Sequence, residues 1–107
     1  MTPETDILLK TLSDPTRRAI YERLSHDGEQ TVRALTDRAG VSQPAVSKHL
    51  NLLKASGLVH ERRAGRQTHY SARPQGLRPL LDWMQTYGAF WSAKLDNLED
   101  LLDRMDQ

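Results

Sequence analysis

A mostly helical domain with one β-hairpin is the fold class this chain predicts, and three observations carry that prediction. Two capped helical segments meet at a single glycine, Gly40. A basic hairpin pattern with Gly65 at its tip follows them directly. The last third of the chain then carries an apolar stripe whose members recur in steps of four and three.

The elements follow in order. Ile7, Leu8, Leu9 and Leu12 make a short helix too apolar to stand alone. Asp14-Pro15 reads as an N-cap with proline at the first helical position. The helix behind it lines up Ala19, Ile20 and Leu24 inward, turns Arg17, Arg18, Glu22 and Arg23 outward, and stops near Ser25–Gly28. Arg17 and Arg18 stand where positive charge opposes the helix dipole; phosphate contact and plain exposure account for them equally. Thr31–Ala39 (TVRALTDRA) is a further helix with Val32, Leu35 and Ala39 inward, ended by Gly40 in a left-handed conformation. Only Val41 separates that glycine from Ser42, the cap of a helix from Gln43 to about Ser56, whose inward stripe is Val46, Leu50 and Leu53. Helices joined so tightly cross steeply, which is helix-turn-helix geometry.

After Gly57 the pattern becomes that of strands: Leu58–Arg63 and Gln67–Ala72 flank Ala64-Gly65-Arg66, a hairpin signal. A helix-turn-helix followed at once by a basic hairpin is a winged helix. Residues from about Gln75 to Met105 form one long helix, or two short ones broken near Pro79. Leu77, Leu81, Met84, Gly88, Trp91, Leu95, Leu98, Leu102 and Met105 make a heptad-type seam, with Leu80, Trp83, Tyr87 and Phe90 beside it. One stripe covers the chain's own core and leaves the other for a partner, because a domain this small has too little surface to bury both. The whole is expected to be a single domain over 1–107, with a winged core at 5–73 and a homodimerisation helix at 74–107.

Composition narrows the function. With 107 residues there is room for one core and an extra pairing helix. A hydrophobic share of 37% without a long apolar run points to a soluble protein with no membrane partner. The absence of cysteine removes disulfides and thiolate metal sites, and no signal peptide is visible, so the expected compartment is the cytoplasm. The net charge of +1 conceals an asymmetry: residues 40–73 hold 6 Lys or Arg against 1 acidic residue, while residues 74–107 hold 3 against 6. A polyanion feels the first segment and is repelled by the second.

With Val46 inward, Pro44, Ser47, Lys48 and Asn51 point outward, and Gln43 sits at the exposed N-terminal end where recognition helices meet base edges. Gln and Asn can pair with adenine, Ser with any base, and Lys with guanine or phosphate. The expected contacts with double-stranded DNA are therefore Ser42, Gln43, Pro44, Ser47, Lys48, His49 and Asn51 on the helix, and Arg62, Arg63, Arg66 and Gln67 on the hairpin. His49 flanks the inward stripe, so half-buried packing competes with a DNA contact there. Three arginines near one glycine tip exceed what solubility of an edge hairpin demands, and a wing of this kind lies along the backbone or minor groove. Tyr70 points into the core beneath it.

Other classes fit less well. No nucleophile elbow, phosphate-binding glycine loop or metal-ligand spacing marks an enzyme, and no cofactor is implied. A winged helix that binds protein rather than DNA would show an apolar or acidic surface where this one is basic. Single-stranded RNA recognition wants exposed aromatics, which here serve core and seam. A Trp-rich pocket for a small apolar ligand is the alternative to a dimer seam on the last helix.

Three separated motifs now stand in order: Ser13–Ile20 (SDPTRRAI), Val41–Leu50 (VSQPAVSKHL) and Gly57–Arg66 (GLVHERRAGR). Together they resemble the arsenical-resistance repressor (ArsR-type) family of winged-helix regulators, over roughly residues 5–73. The resemblance implies a dimer built from the first and last helices, with Leu8, Leu81, Met84, Trp91, Leu95, Leu98 and Leu102 as expected seam residues. It also implies a near-palindromic operator, repression of the chain's own or an adjacent operon, and release by an effector the sequence does not identify. Metal-sensing members use cysteine pairs in the helix corresponding to Thr31–Ala39, or histidines on the last helix; this chain has neither. Its closing segment Tyr87–Leu101 (YGAFWSAKLDNLEDL) looks like the metal-free branch.

Overall fold

Capping chemistry sets where the helices begin. In the computed structural model, which describes residues 2–106, the hydroxyl of Thr2 accepts from the backbone N–H of Thr5 at 3.2 Å, and Asp14 accepts from that of Arg17 at 2.9 Å. Thr31 and Ser42 do the same for Ala34 and Ala45, at 3.1 and 3.3 Å. The resulting elements are α1 (Pro3–Leu12), α2 (Pro15–Asp27), β1 (Gln30–Thr31), α3 (Val32–Ala39), α4 (Gln43–Ala55), β2 (Val59–Ala64), β3 (Gln67–Ala72), a 3₁₀ turn (Pro74–Leu77) and α5 (Arg78–Met105). Four of the helices carry proline in their first turn, where its missing N–H costs nothing.

The three strands are antiparallel in the order β1-β3-β2, with Glu61 opposite Tyr70 and Arg62 opposite His69. Leu35, Val46, Leu50, Leu53 and Leu58 are completely enclosed, joined in one cluster by Leu8, Ile20, Leu24, Val59 and Tyr70. This cluster locks α2, α3 and α4 onto the sheet. It is a winged helix-turn-helix.

The structure departs from the sequence reading at several points. β1 is an extra strand, pairing Gln30 with Tyr70 and Thr31 with His69. Of the two readings left open for the last third, the single helix is the one present: Pro79 sits in the first turn of a 28-residue α5. Ala19 is exposed rather than inward, and Tyr21 packs against the core in its place. Arg23 is not turned out to water: it is half-buried and donates from Nη1 to the carbonyl of Leu35 at 3.3 Å. Leu8, expected at a seam between chains, is only 2% exposed in this chain's own core, so it has no surface to offer a partner; Ile7 and Leu9 are the α1 leucine-type side chains left outside.

The link into α5 depends on Gly76. A Cβ there would lie 2.6 Å from the carbonyl oxygen of Gly57 and 3.0 Å from the Cα of Leu58, both backbone atoms that cannot turn aside. The same junction is tied by Arg73, whose backbone N–H donates to Leu58 at 2.9 Å and whose Nη1 donates to Gly57 at 3.4 Å. Gly76→Ala should therefore lower unfolding free energy by about 1–3 kcal/mol, the usual cost of overpacking, measured by urea denaturation; an unchanged midpoint would mean the 3₁₀ turn moves freely.

Candidate nucleic-acid interface

The candidate surface begins at the joint between α3 and α4. Gly40 adopts φ 70° and ψ 10°, the left-handed conformation that closes α3, and Ser42 then caps α4 two residues later. Burial of Val46, Leu50 and Leu53 fixes the rotation of α4. Gln43, Pro44, Lys48 and Asn51 are exposed, and Ser47 is half-exposed beside them. Ser42 is exposed, but its oxygen is engaged by the cap.

His49 is half-buried, with Nδ1 accepting from Arg17 Nε at 3.4 Å. The arrangement matches packing more closely than an outward contact. Arg17 and Arg18 owe their positions to α1: their Nη1 atoms donate to the carbonyls of Thr11 at 3.3 Å and Leu12 at 2.8 Å, closing the C-terminal end of that helix. Neither explanation offered by the sequence, phosphate or idle exposure, anticipated this.

On the wing, β2 and β3 pair from Val59–Ala72 to Ala64–Gln67, leaving Gly65 and Arg66 as a two-residue turn. Gly65 has φ 64°, the positive value that the first position of a II′ hairpin turn requires. Arg63, Arg66 and Gln67 are exposed. Arg62 is exposed as well but is not free. Its Nη2 and Nε donate to the two carboxylate oxygens of Glu29 at 2.6 and 3.2 Å. Any contact of Arg62 with DNA therefore starts from a fork that is occupied in the free protein.

A second anchor lies on the opposite face of the hairpin. Tyr70 is 6% exposed and donates its hydroxyl to Glu61 at 3.0 Å, while Lys54 of α4 lies 3.4 Å from the same carboxylate. The hydrogen bond from Tyr70, seconded by Lys54 and Arg63, holds the Glu61 carboxyl below its ordinary range. The bond from Arg62 does the same for Glu29. Burial, then the bond to Glu61, pushes the Tyr70 hydroxyl up, so it stays protonated.

Among the described residues, no group of three or more His, Asp or Glu is assembled that could hold a metal ion, and no helix is long and apolar enough to cross a membrane. A capped helix-turn-helix with a polar outer face and an arginine-bearing wing is an architecture that DNA-binding proteins use. Comparison with known proteins says which kind. A family profile described as a helix-turn-helix domain matches residues 12–62. The chain is 42% identical over 94 residues to the HTH-type transcriptional regulator Rv2034 of Mycobacterium tuberculosis, covering 88% of this chain and 84% of that protein. It is 32% identical over 80 residues to the transcriptional repressor SdpR of Bacillus subtilis, covering 75% of this chain and 88% of the relative. Its fold matches that of an ArsR-like transcriptional regulator from Rhodococcus sp. RHA1 with a TM-score of 0.72 and 33% identity, over 92% of each chain. The chain belongs to the ArsR family of winged helix-turn-helix transcriptional regulators, and its function is that of a DNA-binding transcriptional repressor.

The depressed Glu61 carboxyl makes a directional prediction. Because its folded value lies below the ordinary 4.5, the stabilisation is complete above that pH and is lost as pH falls through the folded value. Urea midpoints taken between about pH 6 and pH 3 should therefore fall less steeply for Glu61→Gln than for the unaltered protein. Parallel curves would show that the Tyr70–Glu61–Lys54 contact contributes nothing.

Proposed function

We propose that this protein acts in the cytoplasm as a homodimer, represses transcription from a near-palindromic operator, and reads that operator with Gln43, Ser47, Lys48 and Asn51. The observation that carries the readout is the rotation of α4, which leaves those four at the surface while three of its apolar residues are buried. Ser42 and Pro44 shape the helix end that approaches the duplex. Arg63, Arg66 and Gln67 lie against the phosphate backbone or minor groove, and His49 packs behind the reading face against Arg17.

Pairing is supported by α5. None of its 28 residues is buried, and Leu81, Met84, Trp91, Leu95, Leu98 and Leu102 are each at least 50% exposed along one stripe. Apolar patches of that extent mark an interaction surface. A second copy is the occupant the heptad spacing favours, with Ile7 and Leu9 of α1 flanking it. The apolar hollow lined by Trp83, Met84, Tyr87, Gly88 and Trp91 takes Met84, Gly88 and Trp91 from that stripe and Trp83 and Tyr87 from the one beside it, and its continuity with the stripe favours a seam over a separate ligand site. The operon, and any effector, would be found with the operator.

The first test is binding of the purified protein to the DNA upstream of its own gene, at two salt concentrations, against random DNA of equal length. Preferential binding that weakens with salt is the expected result; equal affinity for both would remove sequence-specific repression. On the cognate fragment, Gln43→Ala should cost about 1–3 kcal/mol and relax specificity at one position. Equal losses on both DNAs would deny Gln43 a base contact. For assembly, Leu98→Glu places a charge in the seam and should yield a monomer in sedimentation. A Leu98→Glu dimer would move the seam elsewhere.

A further inference from the structure

Glu29 precedes β1 at one edge of the sheet, and Arg62 lies on β2 at the other, with β3 between them. The carboxylate nonetheless reaches across β3 to take both arms of the guanidinium, at 2.6 and 3.2 Å, and passes within 3.6 Å of Nδ1 of His69. Two oxygens held in the fork of an arginine is also how a phosphate is bound. The pair lies open to solvent, with 57% of the Arg62 and 36% of the Glu29 side chain accessible, so a polyanion can reach it. Exposed pairs of this kind contribute little to stability. Among the described residues, neither Arg63 nor Arg66 forms an ion pair.

We infer that Glu29 stands in for a DNA phosphate: it occupies Arg62 in the free protein, keeps it off the duplex, and sets the wing's affinity for backbone below what its three arginines would give. The inference rests on the reading of the wing as a DNA contact. Its consequence is a latent phosphate contact that a single neutralising substitution releases. The gain applies to every sequence alike, because backbone carries no base identity. Glu29 thereby restrains binding to the excess of non-operator DNA.

The test is a double-mutant cycle read as the slope of log affinity against log salt on a random-sequence duplex long enough for both recognition helices. Each phosphate contact adds about 0.9 to the steepness of that slope. Glu29→Gln should steepen it by about 0.9 per chain, which makes binding fall about 3.5-fold more per chain between 50 and 200 mM salt. Arg62→Ala alone should leave the slope unchanged, and Arg62→Ala added to Glu29→Gln should return it to the original value. An unchanged or shallower slope in Glu29→Gln overturns the inference. So does a shallower slope in Arg62→Ala alone, since Arg62 would then already be on DNA. Thermal melting followed by circular dichroism accompanies each variant; if Glu29→Gln does not fold, the slope of Arg62→Ala decides. Arg66→Ala separates the two levels: a slope shallower by about 0.9 with an inert Glu29→Gln overturns the clamp alone, whereas an unchanged slope overturns the wing reading beneath it.

Discussion

The rotation of α4 about its own axis is the constraint from which the rest of this molecule takes its meaning. Val46, Leu50 and Leu53 lie at spacings of four and three and are wholly enclosed between α2, α3 and the sheet. Turning the helix by one residue, about 100°, would drive polar side chains into that cluster and bring leucines to the surface. Emptying any of the leucine sites would cost about 2–5 kcal/mol, so the rotation is held strongly. Everything outward on α4 is a consequence of what is inward. The Ser42 cap and the left-handed Gly40 set the start of the helix; the apolar stripe sets its face.

The wing depends on that same cluster at one remove. Tyr70 and Val59 belong to it, so the hairpin is anchored to α4 through the core rather than through its own strands alone. Lys54 and Glu61 tie the two elements again at the surface, and Glu29 braces the outer face of the sheet. The arginine-bearing tip is thereby carried at a fixed place relative to α4. The long α5 is different in kind. At 28 residues it spans about 42 Å, and only its beginning packs on the chain, where Leu80, with Leu77 of the preceding 3₁₀ turn, covers the core. The rest presents an apolar stripe to water, an arrangement a second copy of the same helix would relieve.

What the sequence made legible was local or periodic. The glycine joint, the caps of α2 and α4, the strand from Gln67 to Ala72 and the burial of Tyr70 each follow from a few neighbouring residues, and all are present in the structure. Strand β1 was invisible because two residues cannot display an alternation. Pro79 leaves one helix or two open in the sequence, because a proline near a helix reads as a break or as a start according to what precedes it, and here a 3₁₀ turn precedes it. The outward side chains of α4 could be named from the apolar stripe alone. The state of the arginines could not. Arg17 and Arg18 close the previous helix, and Arg62 is held by a carboxylate 33 positions away, a pairing no spacing rule anticipates. Leu8 differs for a related reason: the resemblance assigns the first helix to a dimer but does not say which of its apolar side chains faces the chain's own core.

Repression by a paired molecule requires that two copies of α4 address one duplex together. Hydroxyl-radical footprinting of the protein on the DNA upstream of its gene tests this most directly. Two protected half-sites related by a dyad, with centres about 34 Å or a multiple of that apart, are the expected pattern. A single unsymmetrical patch of protection would contradict the account, because it would leave α5 without its partner and α4 reading DNA alone.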